Sequence, residues 1–397
     1  MGKKVSLPNS QFPSLKVADR GASRLRGGHV WVYRSDIASA DAVPAGSLVQ
    51  VSDQRGKFLG TALYSSASQI AIRMLSPGPV TDFPALLRER IMAAIAYREP
   101  IVRDTDAYRV IFSEGDFLPG LIVDRYNDIL SVEMLTQAMD LEPVREIVIS
   151  ELAEKLRPTA IVERVEPRIR DLEQLPPREA GLIQGEKKET EFSMNGVRFH
   201  YQALAGQKTG AFLDQRENYA AAAQYAHGEA LDVFCYQGAF ALHVARRCSQ
   251  VTGLDSSRPA LETAEQNALL NGREIEWIEA NAFDLLKDYS AAGRQYDTII
   301  LDPPAFAKSK RTLETALLGY KELNLRALKM LRPGGILVTC SCSYHVGPPE
   351  FLAMLAETSR DIHKNIRILE TRTQARDHPT VLTIPETAYL KCVIASV

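Results

Sequence analysis

The sequence lacks any long apolar segment. Its 397 residues contain no run near the roughly 18 apolar residues that would suggest a membrane span. The first five residues, Met-Gly-Lys-Lys-Val, have no apolar core, so we expect no secretory signal. With 45% hydrophobic and 24% charged residues, the composition is that of a globular protein and argues against global disorder. A chain of this length predicts two or three domains.

Cysteine is scarce and unevenly placed. The five cysteines are odd in number and lie in the last two-fifths of the chain, at positions 235, 248, 340, 342 and 392. This pattern favours a cytoplasmic protein with reduced thiols over a disulfide framework. Cys340 and Cys342 form C-x-C rather than C-x-x-C, and no second ligand pair follows, so we expect no metal site.

Charge of one sign is also lacking in the chain as a whole. The net charge of −2 gives no general indication of a nucleic-acid partner. However, residues 1–77 carry ten Lys and Arg against four Asp, a local net charge of +6. A basic end module suits a polyanion such as RNA. On charge alone, a solvated basic surface is an equally open interpretation.

The pattern of the chain predicts a multidomain α/β protein in three parts. Residues 1–77 are short strand-like runs broken by glycine, typical of a small β-barrel. Residues 78–200 predict an α+β middle domain, in which the charged segment 166–190 should be an exposed loop. Residues 201–397 alternate strand and helix, which indicates a doubly wound, Rossmann-like domain with a seven-stranded sheet. We expect helices over 83–98, 141–156, 259–271 and 312–331.

Three consecutive strand ends indicate a nucleoside cofactor. The predicted strand 230–235 ends in the segment Asp232-Val233-Phe234-Cys235-Tyr236-Gln237-Gly238, which opens a helix and where glycine allows a tight turn. The next strand ends in Asp255-Ser256, whose carboxylate can accept hydrogen bonds from ribose hydroxyls. Asn281-Ala282 closes the third strand and is placed to contact an adenine. Since the G-x-G-x-x-G motif is absent, these three strand ends favour S-adenosylmethionine over a dinucleotide as the cofactor. Phe234 can equally be interpreted as a residue of the hydrophobic core.

Two further strand ends bring chemistry to the same edge. Asp302-Pro303-Pro304 follows one apolar run, and Cys342 follows another. Carbon 5 of a pyrimidine needs activation before it can accept a methyl group, and a thiolate adding at carbon 6 supplies it. A carboxyl group can stabilise charge on the polar edge of the ring. Cys342 and Asp302 suit these two catalytic roles, so the pattern predicts methyl transfer with a covalent nucleophile.

The sequence favours one cysteine as nucleophile and one type of methylation but leaves alternatives open. Cys340 lies within the apolar run and reads as core, whereas Cys342 lies at the loop and is favoured as nucleophile. Methylation of an amino group needs no cysteine, because Asp-Pro-Pro can hold an amine. A guanine N-methyltransferase with structural cysteines, a non-catalytic RNA-binding assembly factor and a small-molecule methyltransferase therefore stay open as alternatives.

Several motifs together carry a family resemblance along essentially the whole chain. The segments concerned are Gly28-His29-Val30-Trp31-Val32, Gly115-Asp116-Phe117-Leu118-Pro119-Gly120, Gln207-Lys208-Thr209-Gly210-Ala211-Phe212-Leu213-Asp214-Gln215-Arg216, Asp302-Pro303-Pro304, Ser341-Cys342-Ser343 and Asp377-His378-Pro379. On these segments the chain resembles the RlmI-type 23S rRNA (cytosine-5)-methyltransferases. The family often has an apolar residue where Cys340 stands, so the extra thiol is a departure from it.

The resemblance implies a PUA RNA-binding domain, an α+β linker domain and a class I methyltransferase domain. It also implies 5-methylcytosine formation in large-subunit ribosomal RNA, with the nucleophile in Ser341-Cys342-Ser343 and Gln215 near the methionine end of the cofactor. Arg24 and Arg26 are candidate phosphate contacts, as is Lys208. His378 is open between a functional and a structural role. A homodimer is compatible with the sequence but not indicated by it. The expected cofactor-binding residues are Gln215, Asp232, Phe234, Tyr236, Gly238, Asp255, Ser256, Asn281, Ala282, Asp302 and Pro303.

Overall fold

The N-terminal sheet is the first of three sheets that organise the molecule. The computed structural model describes residues 12–39, 43–204, 210–307 and 310–397. Six strands form a strongly curved sheet in the order β2-β6-β5-β4-β1-β3, in which only β1 and β4 are parallel. Its elements are β1 (Ser14–Val17), α1 (Asp19–Arg26), β2 (Trp31–Tyr33), β3 (Ile37–Ser39), β4 (Leu48–Asp53), β5 (Phe58–Tyr64) and β6 (Ile70–Ser76).

The middle part is a five-stranded sheet in the order β11-β10-β9-β8-β7. One face packs against the two long helices α2 and α3, and the other packs against a β-hairpin and the C-terminal domain. Its elements are α2 (Phe83–Arg98), β7 (Ala107–Phe112), β8 (Leu121–Tyr126), β9 (Ile129–Met134), α3 (Glu142–Leu156), β10 (Ala160–Glu163), α4 (Pro167–Glu173) and β11 (Gly181–Gln184), followed by the hairpin β12 (Glu189–Met194) and β13 (Val197–Gln202).

The expectation of an exposed loop over 166–190 is wrong. This segment contains α4 and β11, and both Arg170 and Glu173 are buried. Their charges are paired with distant residues: Arg170 with Asp140 at 3.1 Å, and Glu173 with Arg73 of the N-terminal sheet at 3.1 Å. The partners of these charges lie far away in sequence. The segment therefore has the charged composition of a solvated loop, although its ion pairs are buried.

The C-terminal domain is a doubly wound sheet of seven strands. Its order is β16-β15-β14-β17-β18-β20-β19, and only β20 is antiparallel to its neighbours. Its elements are α5 (Arg216–Tyr225), β14 (Gly228–Val233), α6 (Ala239–Val244), β15 (Cys248–Asp255), α7 (Arg258–Leu270), β16 (Glu276–Glu279), α8 (Ala282–Ala291), β17 (Tyr296–Leu301), α9 (Leu313–Met330), β18 (Leu331–Ser341), α10 (Pro348–Asp361), β19 (Arg367–Arg372) and β20 (Lys391–Ser396).

This architecture confirms the predicted fold class. The strand order reverses between β14 and β17, and ligands of open α/β sheets bind at the carboxyl ends of strands near such a reversal. In the described part of the chain, no helix combines the length and apolarity needed to cross a bilayer. The domain boundaries near residues 77 and 200 stay predictions.

Polar contacts join the three parts. Trp31 is half-buried and donates its indole N–H to Glu114 Oε1 (2.9 Å) in the middle part. His29 Nε2 lies 3.0 Å from Glu386 of the C-terminal domain. Arg73 pairs with Glu114 and Glu173. These three side chains therefore hold the N-terminal sheet against its neighbours.

Candidate active site

The loop after β14 has an unusual backbone. Phe234 and Tyr236 adopt left-handed φ angles of 67° and 49°, and Gly238 follows at 80°. The backbone N–H groups of Phe234 and Cys235 both donate to Leu254 O, at 2.8 and 3.0 Å. Non-glycine residues rarely occupy this region, and such strained backbone concentrates at functional sites. At Gly238, a Cβ atom would lie 2.6 Å from the Trp277 ring, so packing as well as the turn requires glycine.

Asp255 stands at the carboxyl end of β15 and fastens this loop. Its Oδ2 accepts from the N–H of Tyr236 and its Oδ1 from the N–H of Ser257, both at 2.9 Å. Each carboxylate oxygen has two lone pairs, so both can accept further hydrogen bonds from ribose hydroxyls. Asp255 thus combines a structural role with the chemistry expected of a nucleoside site.

A cavity of about 400 Å³ opens over these strand ends. Its size and mixed polar and aromatic walls fit a nucleoside cofactor with space for a second group. Eight of the residues expected at the site line it, including both expected catalytic residues. They are Gln215, Phe234, Tyr236, Asp255, Ser256, Asp302, Pro303 and Cys342.

Asp232 and Gly238 are not among the cavity walls. Asp232 is fully buried; its Oδ2 accepts from the N–H of Ala241 (2.8 Å), and its Oδ1 has no hydrogen-bond partner. Burial raises the pKa of Asp232 to about 8, and the carboxylates of Asp302 and Asp255 push it in the same direction. Asp232 therefore fixes the start of α6, and direct contact with the cofactor stays a prediction.

Asn281 and Ala282 also lie away from the cavity walls. Asn281 is exposed and caps α8, with its Oδ1 accepting from the N–H groups of Phe283 (2.9 Å) and Asp284 (3.3 Å). Ala282 is buried. The aromatic side chain next to them is Phe283, whose ring centroid lies 6.0 Å from that of Phe306. The expected adenine contact stays a prediction.

Asp302 is held by a chain of amides. Its Oδ1 accepts from Gln215 Nε2 at 3.0 Å, and Gln215 Oε1 in turn accepts from Asn218 Nδ2 at 2.7 Å. Gln215 and Asn218 are both buried, so the orientation of the carboxylate is fixed before any ligand enters. The family resemblance implies that Gln215 lies near the methionine end of the cofactor, which stays a prediction, and the structure brings Gln215 beside Asp302.

The two neighbouring cysteines have different surroundings. Cys340 is fully buried within β18, opposite Cys392 of β20, and burial raises the pKa of its thiol well above the usual range. Cys342 lies one residue beyond β18, is partly buried and lines the cavity, with its Sγ 4.0 Å from the carbonyl oxygen of Pro303. Of this pair, only Cys342 is brought to the cavity wall.

The start of β20 adds side chains that sequence reasoning missed. Tyr389 donates its hydroxyl to Asp214 Oδ2 (2.7 Å), and Asp214 lines the cavity. Lys391 is buried, with its Nζ donating to the carbonyl oxygens of Ser343 (2.6 Å) and Tyr389 (2.8 Å). The sequence signal that could have indicated these side chains is the presence of polar residues at the beginning of an apolar strand, in Tyr389-Leu390-Lys391.

Two of the three expected RNA contacts, Arg24 and Arg26, are among the described residues. Arg24 pairs with Asp36 at 3.2 Å and stacks over the Tyr33 ring, 4.8 Å from its centroid. Arg26 is half-exposed and pairs with Asp53. Lys208 lies outside the described residues. The pairing leaves Arg26 accessible to a phosphate, and its role stays a prediction.

The segment Asp377-His378-Pro379 is an internal tie. Asp377 Oδ2 accepts from the N–H of Arg109 (2.8 Å), and Oδ1 from the guanidinium of Arg216 (3.1 Å). Burial raises the pKa of Asp377, but His378, Arg216 and the Arg109 N–H lower it more, so the net shift is downward. Since His378 is also buried, these contacts favour its structural interpretation.

Comparisons with known proteins agree with this geometry. Residues 15–77 match the PUA-like domain, and residues 171–394 match the family of S-adenosylmethionine-dependent methyltransferases. The chain belongs to this methyltransferase family and uses S-adenosylmethionine as methyl donor.

Curated relatives cover almost the whole chain. A protein of Shewanella denitrificans named ribosomal RNA large subunit methyltransferase I is 35% identical over 93% of this chain and 95% of its own length. A protein of the same name from Tolumonas auensis is 36% identical, over 95% and 97%.

Solved structures share the fold. A Streptococcus mutans protein described as an S-adenosylmethionine-dependent methyltransferase aligns with a TM-score of 0.83 at 18% identity, covering 97% of this chain and 100% of its own. Another methyltransferase structure, complexed with SAH, aligns with a TM-score of 0.84 at 19% identity and the same coverage.

Proposed function

We propose that this enzyme methylates carbon 5 of a cytosine in large-subunit ribosomal RNA through a covalent adduct with Cys342. The observation that carries the proposal is the convergence of Cys342, Asp302 and Asp255 on the walls of one cavity. The names of the relatives support ribosomal RNA as substrate. The basic N-terminal domain, with its PUA-like match, supports an RNA contact remote from the reaction.

The thiolate of Cys342 would form a bond to carbon 6 of the cytosine, moving the electrons of the 5,6 double bond toward carbon 5 and the polar edge of the ring. Asp302 would stabilise that edge by hydrogen bonding. S-adenosylmethionine, when bound, supplies an electrophilic methyl group. Carbon 5 takes this methyl group, which leaves S-adenosylhomocysteine; a base then removes the carbon-5 proton, and the bond between carbon 6 and Cys342 Sγ breaks to return the thiolate. The target cytosine must be flipped out of any RNA helix, because the sulfur approaches carbon 6 from the face of the ring.

The residues present fit the methyl donor. The Asp255 carboxylate suits ribose hydroxyls, and the aromatic rings of Phe234 and Tyr236 supply apolar faces on the same wall. The carboxylates of Asp255 and Asp302, which both push the pKa of Asp232 upward, line this cavity and favour a sulfonium cation.

The first test compares two cysteine variants on ribosomal RNA. Cys342→Ala should reduce 5-methylcytosine formation more than about 1,000-fold, as expected for loss of a nucleophile. Cys340→Ala removes a thiol from the same strand and should retain turnover, which makes it the matched control. Unchanged turnover by Cys342→Ala would exclude the covalent route and favour an N-methyltransferase on this scaffold.

Two further measurements identify the product and the adduct. Bisulfite sequencing of ribosomal RNA from cells with and without the gene should show one protected cytosine that depends on the gene. RNA carrying 5-fluorocytosine should trap the enzyme, because fluorine cannot leave as a proton does, and the complex should survive denaturing electrophoresis only with Cys342 present. Failure to bind S-adenosylmethionine in calorimetry would favour the non-catalytic alternative.

A further inference from the structure

We propose that Lys391 is a positioning residue that fixes the loop carrying Cys342 and favours the thiolate form of that cysteine. This inference deepens the proposed function and rests on it, because it concerns the nucleophile of the same reaction. It also makes a claim about the free enzyme that can be tested without RNA or methyl donor.

The strand register brings Lys391 to the cysteine. Ser341 pairs with Lys391 in the antiparallel ladder between β18 and β20, at the point where β18 ends. Cys342 is the next residue of the chain. The Lys391 side chain continues past this pair and binds the carbonyl oxygen of Ser343 at 2.6 Å. The ammonium group therefore holds the backbone on the far side of Cys342 from the strand.

The hydrogen bonds leave the ammonium group one donor. An ammonium carries three N–H groups, and the carbonyl oxygens of Ser343 and Tyr389 accept two of them. We assign the third to the Cys342 thiolate. Burial lowers the pKa of Lys391 to about 8, whereas the negative charge of Cys342 acts in the opposite direction. The two groups therefore interact electrostatically, and the interaction is reciprocal.

Phenols and carboxyl groups also lie around the sulfur. Burial raises the pKa of the phenols of Tyr320 on α9 and Tyr389 before β20, and the charge of Cys342 acts in the same direction, so both phenols stay neutral. The carboxyl groups of Asp214 and Asp302 line the same cavity. Negative neighbours oppose a thiolate, whereas a buried ammonium close by offsets them. A cation at this position is what the expected nucleophile needs.

The chain offers a matched control. Lys364 also donates through its Nζ to two backbone carbonyl oxygens, those of Leu328 (2.7 Å) and Leu331 (2.8 Å), and burial lowers its pKa as well. It is not among the residues that line the cavity. Lys391→Met and Lys364→Met therefore remove the same kind of group with the same kind of bonds, but only the first removes it from beside Cys342.

The experiment measures the alkylation of Cys342 by iodoacetamide as a function of pH, on the full chain without RNA or methyl donor. The thiolate displaces iodide, and tandem mass spectrometry separates Cys342 from Cys340 in one peptide. In Lys391→Met the pH midpoint should rise by about one unit or more, as expected for loss of a close opposite charge, while Lys364→Met should match the wild type. An unchanged midpoint in folded Lys391→Met, or an equal rise in Lys364→Met, would overturn the proposal.

A reciprocal measurement decides the matter if Lys391→Met does not fold. In Cys342→Ala, the titration midpoint of Lys391, followed by NMR of ¹³C-labelled lysine and assigned with Lys391→Arg, should fall because its negative partner is gone. An unchanged midpoint would overturn the proposal. Neither measurement depends on turnover, so a failure of cytosine methylation would be recognised separately from a failure of this coupling.

Discussion

Asp377 should stabilise the fold more than its position in a loop would indicate. Both of its carboxylate oxygens accept hydrogen bonds, one from the N–H of Arg109 and one from the guanidinium of Arg216. Asp377 is fully buried, and the Arg216 side chain is only 3% exposed. In Asp377→Asn, the amide NH₂ must face one of these two donors, and Arg216 loses its nearer charge partner, keeping only Glu217 at 3.8 Å.

Removing one partner of a buried ion pair costs about 3–5 kcal/mol, so we expect a loss of that order in the free energy of unfolding. The matched control is Asp361→Asn, which breaks the Lys321–Asp361 pair (2.8 Å), where Asp361 is 43% exposed. Such exposed pairs contribute about 1 kcal/mol or less. Urea unfolding would be followed by the fluorescence of Trp277 in a Trp31→Phe background. A loss in Asp377→Asn no greater than in Asp361→Asn would refute the reasoning.

The same prediction has a pH dependence with a defined sign. The pKa of Asp377 is lowered in the folded state, so its contribution to stability is present above the unfolded pKa of about 3.9 and is lost as the pH falls through the folded pKa. The difference in unfolding free energy between the wild type and Asp377→Asn should therefore be constant near neutral pH. It should shrink as the pH falls below about 4.

Two further substitutions test the cofactor loop. Gly238→Ala should weaken S-adenosylmethionine binding in calorimetry by about tenfold or more, because a Cβ there meets the Trp277 ring at 2.6 Å. The control is Gly272→Ala, which is also at positive φ but has open space around it and should retain the affinity. An equal loss of affinity in both variants would contradict the packing argument. The pKa of Asp232 is raised to about 8 in the folded state, so its contribution falls as the pH rises from about 4 to about 8. Asp232→Asn should flatten that decline in urea midpoints, and an unchanged slope would count against it.

The functional residues at the strand ends could be predicted from the sequence, because each strand end is a local pattern. Asp255, Asp302 and Cys342 all stand where an apolar run stops, and the carboxyl ends of parallel strands meet at one edge. Eight expected residues therefore meet in one cavity. Asp232 and Asn281 show a limit of this pattern, because a polar residue near a strand end can also bind the backbone. One anchors α6 and the other caps α8.

The missed features depend on contacts between distant segments. The buried charges of 166–190 find their partners at Asp140 and Arg73, so their charge alone could not distinguish them from a solvated loop. Lys391 stands in a final strand whose pairing with β18 is not visible in its own residues. A single lysine at the start of an apolar strand has the same local pattern as one that points into solvent.

The antiparallel direction of β20 explains how such a lysine reaches the site. The parallel strands of this sheet deliver only their last residues to the edge where the cavity opens. A strand inserted in the opposite sense delivers its first residues there instead, and β20 lies directly beside β18. Lys391 and the preceding Tyr389 therefore arrive next to Cys342 from the other direction along the chain. The single reversed strand thus brings a cation to a sheet edge whose parallel strands supply the acids and the thiol.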